Sequence, residues 1–408
     1  MYKRTLKKEI EKLIKQFPVV LISGPRQVGK STLVHQFTHN GFSYVSLDNL
    51  NIRASANADP LQFIQSYKLP LIIDEVQYEP KLFDVIQSIV NQERIGKGEA
   101  NGLFILTGSQ EINLEKGIES MAGRVAIINM YGLSLSELHG VEELPFIPSF
   151  KRANERKDNY IINKKEVFEL IVRGFLPELH RNKNIDSEIY FQSYVQTYIE
   201  RDVMQIINIK DKLLFQSFLR YIAALTGQEL ITSHIAKALN IRNETVNSWL
   251  SILIASKIIF LLYPYNEFSL TKRVIKRPKI YFTDTGLAAY LARLSHPENL
   301  AINKFSGAFF ETFVINEIMK SYTNNGKTFP GFYYRDNNQN EIDLVLVSQG
   351  KMNLIEIKTG MSFNKSDANV FNILNKTKFI KETHAIISLS DRVYSIGKDI
   401  FVIPIQSI

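Results

Sequence analysis

The chain contains no cysteine among its 408 residues. Disulfide bonds and thiolate metal sites are therefore excluded, and the composition suits a reducing cytoplasm. Long apolar runs are also missing: residues 252–263, the most apolar stretch, are interrupted by Lys257, whereas a membrane-spanning helix needs about 20 apolar residues. The basic start of the chain is not followed by the apolar core of a signal peptide. We expect a cytoplasmic protein without membrane partners.

Acidic residues are fewer than basic ones, 41 against 49, which gives a formal net charge of +8. This excess mildly favours an anionic partner such as nucleic acid. The hydrophobic content of 45% and the charged content of 22% are those of an ordinary globular protein. A chain of this length is expected to form two or three domains.

Residues 24–31 read Gly-Pro-Arg-Gln-Val-Gly-Lys-Ser, directly after an apolar run. This is the complete P-loop motif in its required context, between a strand and a helix. Backbone N–H groups of such a loop bind phosphate together with the positive end of the helix. We expect Lys30 to reach the β and γ phosphates of ATP and Ser31 to ligate Mg²⁺. The nucleotide-binding residues predicted from the motif are Gly24, Pro25, Arg26, Gln27, Val28, Gly29, Lys30, Ser31 and Thr32.

Residues 71–75, Leu-Ile-Ile-Asp-Glu, have the pattern of a buried parallel strand that ends in two acids. After a P-loop, this pattern predicts that Asp74 holds Mg²⁺ through water and that Glu75 polarises the attacking water. The pair therefore predicts a hydrolase. The alternative is a strand that ends in two acids at a solvated edge.

A third apolar run, residues 103–106, is followed by Thr107 and Ser109. Ligands of open α/β sheets lie at the carboxyl ends of the strands, so either hydroxyl could sense the γ-phosphate. The alternative is a glycine-containing turn with its own hydroxyl hydrogen bond. Further along, Arg124 follows Gly123. Arg124 is either an arginine finger that reaches a neighbouring subunit, which would imply a homo-oligomer, or a surface arginine.

These motifs, with Leu-Thr-Gly-Ser at 106–109 and Ser-Met-Ala-Gly-Arg at 120–124, resemble a family of bacterial and archaeal AAA-type ATPases in their order. The resemblance covers about the first 140 residues. It implies ATP hydrolysis and a finger or sensor role for Arg124.

Residues 173–178 and 194–202 resemble the domain of unknown function that follows this ATPase, although Phe175 replaces a glycine of the family pattern. Arg201 either contacts nucleotide or pairs with Asp202. Two short helical patterns then flank residues 240–242, and strands follow, which is the order of a winged helix. Residues 243–256 would form the recognition helix, and a basic flank would meet phosphate. That flank consists of Lys272, Arg273, Lys276, Arg277 and Lys279. The alternative is a packing or dimerisation module, because the recognition face is only modestly basic.

Near the C-terminus, residues 341–347 and 352–358 read as two strands joined by a turn at 348–351. A turn centred between Gln349 and Gly350 pairs residues whose numbers sum to 699, so Asp343 would oppose Glu356 and Glu341 would oppose Lys358. Residues i and i+2 of a strand share a face. Two opposed carboxylates attract a divalent metal, and a nearby lysine stabilises charge on phosphate.

This order of elements resembles a PD-(D/E)XK nuclease. The resemblance implies that Asp343, Glu356 and Lys358 are the metal-binding and catalytic residues and that Glu311, on a preceding helix, is a further metal ligand, with Mg²⁺ or Mn²⁺ bound. Residues 365–379 would form the next helix and 385–388 the next strand. The alternative is a sheet face with two cross-strand salt bridges, and related domains often keep the fold without activity.

We therefore predict an α/β protein with three folded domains. Residues 1–150 form an AAA-type P-loop ATPase domain with a parallel sheet, followed by a linker and helical segment at 151–210. A helical winged-helix domain occupies 211–295, and an α/β restriction-endonuclease-like domain occupies 296–408. Two functions remain open: an ATPase that acts on DNA, and a nucleotide-driven switch with an inactive nuclease-like fold.

Overall fold

The computed structural model describes residues 1–109, 117, 119, 121–203, 211–266, 277–336, 338–374 and 380–408, without the side chains of 200–203. The chain forms two compact units. The N-terminal unit consists of Met1–Leu133, Ala255–Lys257 and Thr323–Gly326, and the C-terminal unit consists of Ser134–Ile254, Ile258–Tyr322 and Lys327–Ile408. The predicted limits at 150, 210 and 295 stay predictions.

The N-terminal unit contains a five-stranded parallel sheet with the order β2-β3-β4-β1-β5. Its strands are β1 (Val19–Ser23), β2 (Ser43–Ser46), β3 (Leu71–Asp74), β4 (Phe104–Gly108) and β5 (Val125–Asn129). Its helices are α1 (Leu6–Leu13), α2 (Lys30–His35), α3 (Leu50–Ala58), α4 (Pro60–Gln65) and α5 (Leu82–Lys97), with 3₁₀ turns at Gln36–Asn40 and Val76–Tyr78. Strands β1, β3 and β4 are buried along their whole length, as expected of continuous apolar runs between helices.

The C-terminal unit begins with a helical region. Its helices are α6 (Leu135–His139), α7 (Phe150–Arg156), α8 (Lys164–Arg173), α9 (Pro177–Arg181), α10 (Ser187–Tyr194) and a π-helix at Val195–Val203. Helix α7 begins the stretch predicted to be a linker and helical segment, and the Ser149 side chain accepts a hydrogen bond from Arg152 N and caps the helix.

Three helices and a small sheet follow. The helices are α11 (Lys212–Ala223), α12 (Thr232–Leu239) and α13 (Asn243–Ala255). Strands β6 (Gln228–Glu229), β7 (Ile259–Leu262) and β8 (Lys279–Phe282) form an antiparallel sheet with the order β6-β8-β7. This element order is the one that the winged-helix prediction requires, and the assignment itself stays a prediction. Residues 272, 273 and 276 of the predicted basic flank lie outside the described residues.

The last part of the C-terminal unit has a mixed sheet with the order β14-β15-β13-β11-β10-β9, and β12 also pairs with β11. Helices α14 (Thr285–Leu291), α15 (Pro297–Ile302) and α16 (Ser306–Thr323) precede it. The strands are β9 (Gly331–Arg335), β10 (Glu341–Ser348), β11 (Lys351–Lys358), β12 (Ile380–Lys381), β13 (His384–Ser388), β14 (Tyr394–Gly397) and β15 (Ile400–Pro404). Short 3₁₀ helices lie at Asp367–Leu374 and Ile405–Ser407. Within the described part of the predicted helix at 365–379, a turn at 365–366 is followed by the 3₁₀ helix.

The β10–β11 hairpin has the predicted register. Leu344 pairs with Ile355 and Ser348 with Lys351, and each pair of numbers sums to 699. The turn residues Gln349 and Gly350 have φ angles of 51° and 77°, which a two-residue hairpin turn of this kind requires. The hairpin therefore brings the predicted acidic positions of its two strands toward each other.

Candidate functional site

The P-loop joins β1 to α2, and α2 begins at Lys30. Gly29 has a φ angle of 94°, a left-handed conformation that favours glycine. Gly24 has no room for a side chain, because a Cβ atom there would lie 2.0 Å from the carbonyl oxygen of Met130. The buried Lys30 ammonium donates hydrogen bonds to the carbonyls of Gly24 (2.9 Å) and Pro25 (2.8 Å). The loop thus has the narrow backbone cradle that a phosphate chain needs.

Asp74, at the end of β3, is the centre of a polar network at the carboxyl edge of the sheet. Its Oδ1 accepts hydrogen bonds from the hydroxyls of Ser31 (3.0 Å) and Thr107 (2.5 Å). Its Oδ2 accepts hydrogen bonds from Tyr44 (3.0 Å) and Ser46 (3.4 Å). Asp74 therefore lies next to the P-loop hydroxyl, and its sharing of a magnesium ion with Ser31 stays a prediction.

Glu75 follows Asp74 at a sharp turn, with a φ angle of 59°. Its carboxylate accepts hydrogen bonds from the Gln77 amide and from the Ser109 hydroxyl, the latter at 3.2 Å. The Gln77 amide also donates to Ser109, at 3.2 Å. Glu75 is thus oriented by residues that follow β3 and β4, Gln77 and Ser109, which suits a residue that must position a water molecule.

Thr107 and Ser109 contact the two acids in this arrangement. The Thr107 hydroxyl bonds to Asp74 and also accepts a hydrogen bond from the backbone N–H of Glu75 at 3.0 Å. Both residues are buried. A direct contact of either hydroxyl with a γ-phosphate stays a prediction.

Burial lowers the pKa of the Lys30 ammonium to about 8, and the carboxylates of Glu75 and Asp74 partly offset this effect. An ammonium that is costly to bury gains most when an anion arrives beside it. The phosphates of a nucleotide would supply that anion, so the electrostatics of the cradle favour phosphate binding.

Two arginines flank this edge of the sheet. Arg26, within the P-loop, donates a hydrogen bond to the Tyr78 hydroxyl at 2.8 Å. The guanidinium of Arg53 lies 3.6 Å from the centre of the same Tyr78 ring. Tyr78 therefore holds the predicted nucleotide-binding residue Arg26 at the rim of the cradle.

The sequence patterns missed Arg4, which is buried at the back of the loop. Its guanidinium donates to the carbonyls of Val28 (2.8 Å) and Tyr131 (2.7 Å). These bonds tie a P-loop carbonyl to the segment after β5. No motif signals this role, because it depends on a tertiary contact of a residue near the start of the chain.

Arg124 lies at the opposite edge of the sheet from the P-loop. It immediately precedes β5, which runs parallel to β1, and its carbonyl accepts a hydrogen bond from Val19 N at the start of β1. The P-loop follows the far end of β1, about 16 Å away for a five-residue strand. The Arg124 side chain donates to Asn91 Oδ1 at 3.0 Å and to the Ala122 carbonyl at 3.1 Å. This position does not suit a sensor of the subunit's own nucleotide.

We expect Gly24→Ala to weaken ATP binding by about tenfold or more and to lower stability by about 1–3 kcal/mol. The added methyl group would collide with the Met130 carbonyl, which is backbone and cannot rotate away. Calorimetric ATP titration and thermal unfolding measure the two effects. Gly96→Ala is the matched control, because nothing lies within 4 Å of a Cβ there. Equal ATP affinity in the two variants would contradict the close fit of the loop.

The glycine motif at 173–178 forms a local structural turn. Gly174 has a φ angle of 72°, and a Cβ atom there would lie 2.4 Å from Asp284 Oδ1. Asp284 accepts hydrogen bonds from Phe175 N (2.8 Å) and from Gly286 N (2.9 Å). The Arg173 guanidinium donates to the Leu179 carbonyl. The contacts of this motif are thus structural, and the side chains of 201 and 202 lie outside the described residues.

The predicted C-terminal acids gather in one buried cluster. Asp343 Oδ2 accepts a hydrogen bond from Ile357 N at 2.8 Å, next to Glu356 on β11. The Lys358 ammonium pairs with Glu356 at 2.7 Å. Glu311 lies on α16, as predicted, and its side chain is 14% exposed.

Lys279, on β8, belongs to the same cluster. Its ammonium lies 2.9 Å from Glu311 Oε1 and 2.5 Å from Glu341 Oε1, and its side chain is only 4% exposed. The Tyr281 hydroxyl donates to the same Glu311 oxygen at 2.6 Å. Lys279 therefore does not lie on a solvent-exposed basic flank, and Glu341, expected opposite Lys358, contacts Lys279 and Arg335 instead. Lys279 and Tyr281 are two positions apart on β8, so their side chains share one face of the strand. This spacing was the sign in the sequence that both could contact the same group, Glu311.

The electrostatics of the cluster follow from its burial. Burial and the neighbouring Asp343 raise the pKa of Glu356 to about 8, against the opposing effect of Lys358. Burial also raises the pKa of Glu311 to about 7, although Lys279 lowers it. For Lys279, burial favours the neutral form, but Glu311, Asp343 and Glu341 together raise its pKa above the ordinary value. The Lys279 ammonium therefore stays protonated, whereas burial favours the neutral forms of Glu311 and Glu356.

The cluster does not fit a divalent metal as it stands. Within the described ranges, no group of three or more histidine, aspartate or glutamate side chains is arranged to hold a metal ion. Glu311 Oε1, a predicted metal ligand, already accepts hydrogen bonds from Lys279 and Tyr281. One of the carboxylate oxygens predicted to bind metal is thus engaged by an ammonium.

Three separate parts of the chain match known protein families. Residues 16–139 match the family described as AAA domain, residues 164–298 match Domain of unknown function (DUF8612), and residues 306–408 match Domain of unknown function (DUF4143). The first match, together with the P-loop geometry, supports an AAA-type ATPase domain.

Similar proteins carry little functional information. An uncharacterized protein of Mycobacterium tuberculosis is 26% identical over 353 residues, which cover 86% of this chain and 72% of that protein. An uncharacterized protein of Methanocaldococcus jannaschii is 24% identical over 309 aligned residues, which cover 68% of this chain and 63% of that protein. Among solved structures, the Walker-type ATPase of Pyrococcus abyssi has a TM-score of 0.43 at 15% identity and covers 71% of this chain and 96% of its own. No described helix is long and apolar enough to cross a membrane.

Proposed function

We propose that this chain is a Mg²⁺-dependent ATP hydrolase of the AAA type that acts on DNA. The observation that carries the proposal is the 3.0 Å hydrogen bond between the P-loop hydroxyl of Ser31 and Asp74. It joins the phosphate cradle to the acidic end of β3, and Glu75 follows directly. A cradle for phosphate, a metal-holding pair and an oriented base are the parts that ATP hydrolysis needs.

The residues of the cradle fit the magnesium nucleotide. Gly24 leaves room only for backbone, and Ser31 with Asp74 offers oxygen ligands, which Mg²⁺ prefers. When bound, Mg²⁺ supplies positive charge that neutralises the β and γ phosphates. Lys30 would exchange its carbonyl partners for phosphate oxygens. Glu75 would accept a hydrogen bond from the attacking water while Gln77 and Ser109 hold its carboxylate.

Action on DNA is the less direct part of the proposal. It rests on the helix pair α12–α13 beside the three-stranded sheet, the order found in winged-helix DNA-binding domains. The exposed residues of α13 and the turn before it include Arg242, Asn247 and Ser248. Helix N-termini and arginines are frequent phosphate contacts. The net charge of +8 agrees with an anionic partner.

Arg242→Ala is expected to weaken DNA binding about three- to tenfold at low salt. It should also reduce the magnitude of the slope of log binding constant against log salt concentration by about one. Arg242 is exposed directly before α13, where a DNA phosphate would lie. Fluorescence anisotropy with labelled duplex DNA at several salt concentrations measures both effects. Lys398→Ala is the control, since it removes one exposed cation from the turn between β14 and β15. Equal losses in both variants would point to nonspecific attraction by net charge.

A second candidate function is a nucleotide-driven switch whose nuclease-like domain does not cut. The contact of the Lys279 ammonium with Glu311, a predicted metal ligand, favours this candidate over a DNA-cleaving one. A matched ATPase and plasmid-nicking assay, with and without Mg²⁺ or Mn²⁺, separates them. DNA-stimulated ATPase without nicking supports a DNA-bound switch. Nicking that disappears in Asp343→Ala would support cleavage at the cluster, and ATPase that ignores DNA would remove DNA from the proposal.

A further inference from the structure

The cluster around Glu311 contains more acidic side chains than lysines. Four acids converge there from one helix and two strands, namely Glu311, Glu341, Asp343 and Glu356. The lysines are Lys279 and Lys358, with Arg335 at the rim, 3.7 Å from Glu341. Burying so many carboxyl groups requires compensation, either a proton on a carboxyl group or a cation beside it.

Lys279 meets that requirement from a separate sheet. It begins β8, whose neighbours β6 and β7 belong to the three-stranded sheet, whereas the acids of the hairpin belong to the mixed sheet. Its ammonium contacts Glu311 and Glu341, and the ring of Tyr333 lies 5.6 Å away. Lys279 therefore belongs to the three-stranded sheet, while its ammonium lies among the acidic side chains of the cluster around Glu311.

The ammonium and a metal compete for the same oxygen. Glu311 Oε1 accepts two hydrogen bonds, from Lys279 and from Tyr281. A Mg²⁺ ion would need a carboxylate oxygen at about 2.0–2.1 Å, a distance that the bound ammonium blocks. Among the described residues, Glu356 Oε1 is buried without a hydrogen-bond partner, and Glu356 is 4% exposed. A buried oxygen without a partner can take up a further one, and a metal ion is one candidate.

We propose that Lys279 is a built-in cation that fills the carboxylate cleft in place of a divalent metal and keeps the nuclease-like domain free of metal. Glu311, Asp343 and Glu356 keep the oxygens of a metal site. The ammonium, rather than the loss of an acid, is what prevents metal binding. This inference is independent of ATP hydrolysis and DNA binding, because it concerns the chain without nucleotide or DNA.

The test is a Mn²⁺ titration of the nucleotide-free full chain, followed by electron paramagnetic resonance, with thermal unfolding in EDTA and in Mn²⁺. Lys279→Met is expected to gain one Mn²⁺ site, with affinity about tenfold or more above that of any site in the wild type. Its unfolding midpoint should fall in EDTA and recover in Mn²⁺, because the metal restores the missing positive charge. The double variant Lys279→Met/Asp343→Asn should not recover.

Two results would overturn the proposal: a folded Lys279→Met that Mn²⁺ does not stabilise, or a wild-type Mn²⁺ site that Asp343→Asn abolishes. The second needs no variant of Lys279. If Lys279→Met does not fold, Glu341→Gln is the variant to titrate with Mn²⁺. It removes one of the two carboxylates that hold the Lys279 ammonium without removing a predicted metal ligand. The Glu341 side chain is 29% exposed, so the change is expected to be tolerated. Mn²⁺ affinity several-fold above that of the wild type supports the proposal, and unchanged affinity overturns it.

Discussion

Glu75→Gln is expected to lower ATP turnover by about 10²–10⁴-fold while leaving ATP binding nearly unchanged. Glutamine keeps the size of the side chain but cannot accept a proton from water. The carboxylate is held by Gln77 and Ser109 beside Asp74, so the change removes the base and leaves the cradle intact. Phosphate release under saturating ATP measures turnover, and calorimetry measures affinity.

Two controls separate this effect from others. Glu93→Gln removes an acid that pairs with Lys97 on α5, away from the site, and should leave turnover within about twofold. Lys30→Ala should lose ATP binding itself, because its ammonium is the buried cation of the cradle. Undiminished turnover in both Glu75→Gln and Lys30→Ala would remove the ATPase assignment.

Arg124→Ala is expected to lower ATP turnover by about 10³-fold, the effect typical of losing an arginine finger. Its position at the amino edge of the sheet, bonded to Asn91, keeps it away from the nucleotide of its own subunit. The guanidinium can then act only on a nucleotide held by a neighbour. Wild-type turnover should therefore rise with protein concentration, whereas Arg124→Ala turnover should stay low at every concentration.

Mixing two inactive variants tests whether the finger acts between subunits. The Arg124→Ala subunit keeps Lys30 and Glu75, and the Glu75→Gln subunit keeps Arg124, so a mixed oligomer contains some complete sites. Turnover should reappear on mixing and should not reappear when Arg124→Ala is mixed with Arg124→Ala/Glu75→Gln. A normal rate in Arg124→Ala alone would make Arg124 a surface arginine, the alternative that the sequence left open.

The sequence predicted the parts of the fold whose signals are local. The P-loop, the apolar runs of β1, β3 and β4, and the hairpin register all depend on neighbouring residues, and each is observed. The tight turn at Gln349 and Gly350 fixes the pairing of β10 with β11. Because paired residue numbers sum to 699, the sequence alone predicted that Asp343 lies opposite Glu356.

The contacts that sequence reasoning missed join residues far apart in the chain. Arg4 supports the P-loop from a distance of 24 positions, and Lys279 enters the acidic cleft from another sheet. Lys279 was expected on a basic flank because its chain neighbours are basic. Lys279 is instead buried beside Glu311, where a cation lowers the cost of burying the carboxylate.

The location of Arg124 also restricts the symmetry of any active assembly. If the finger completes a neighbour's site, the amino edge of one sheet faces the carboxyl edge of the next. Such an interface is heterologous, because its two surfaces differ, and it cannot form a two-fold dimer. Repeating it produces either a closed ring or a helical filament. In a ring every nucleotide site is complete, whereas in an open filament the site at one end lacks its arginine. Closing the ring would therefore complete the last nucleotide site and raise the total turnover of the assembly.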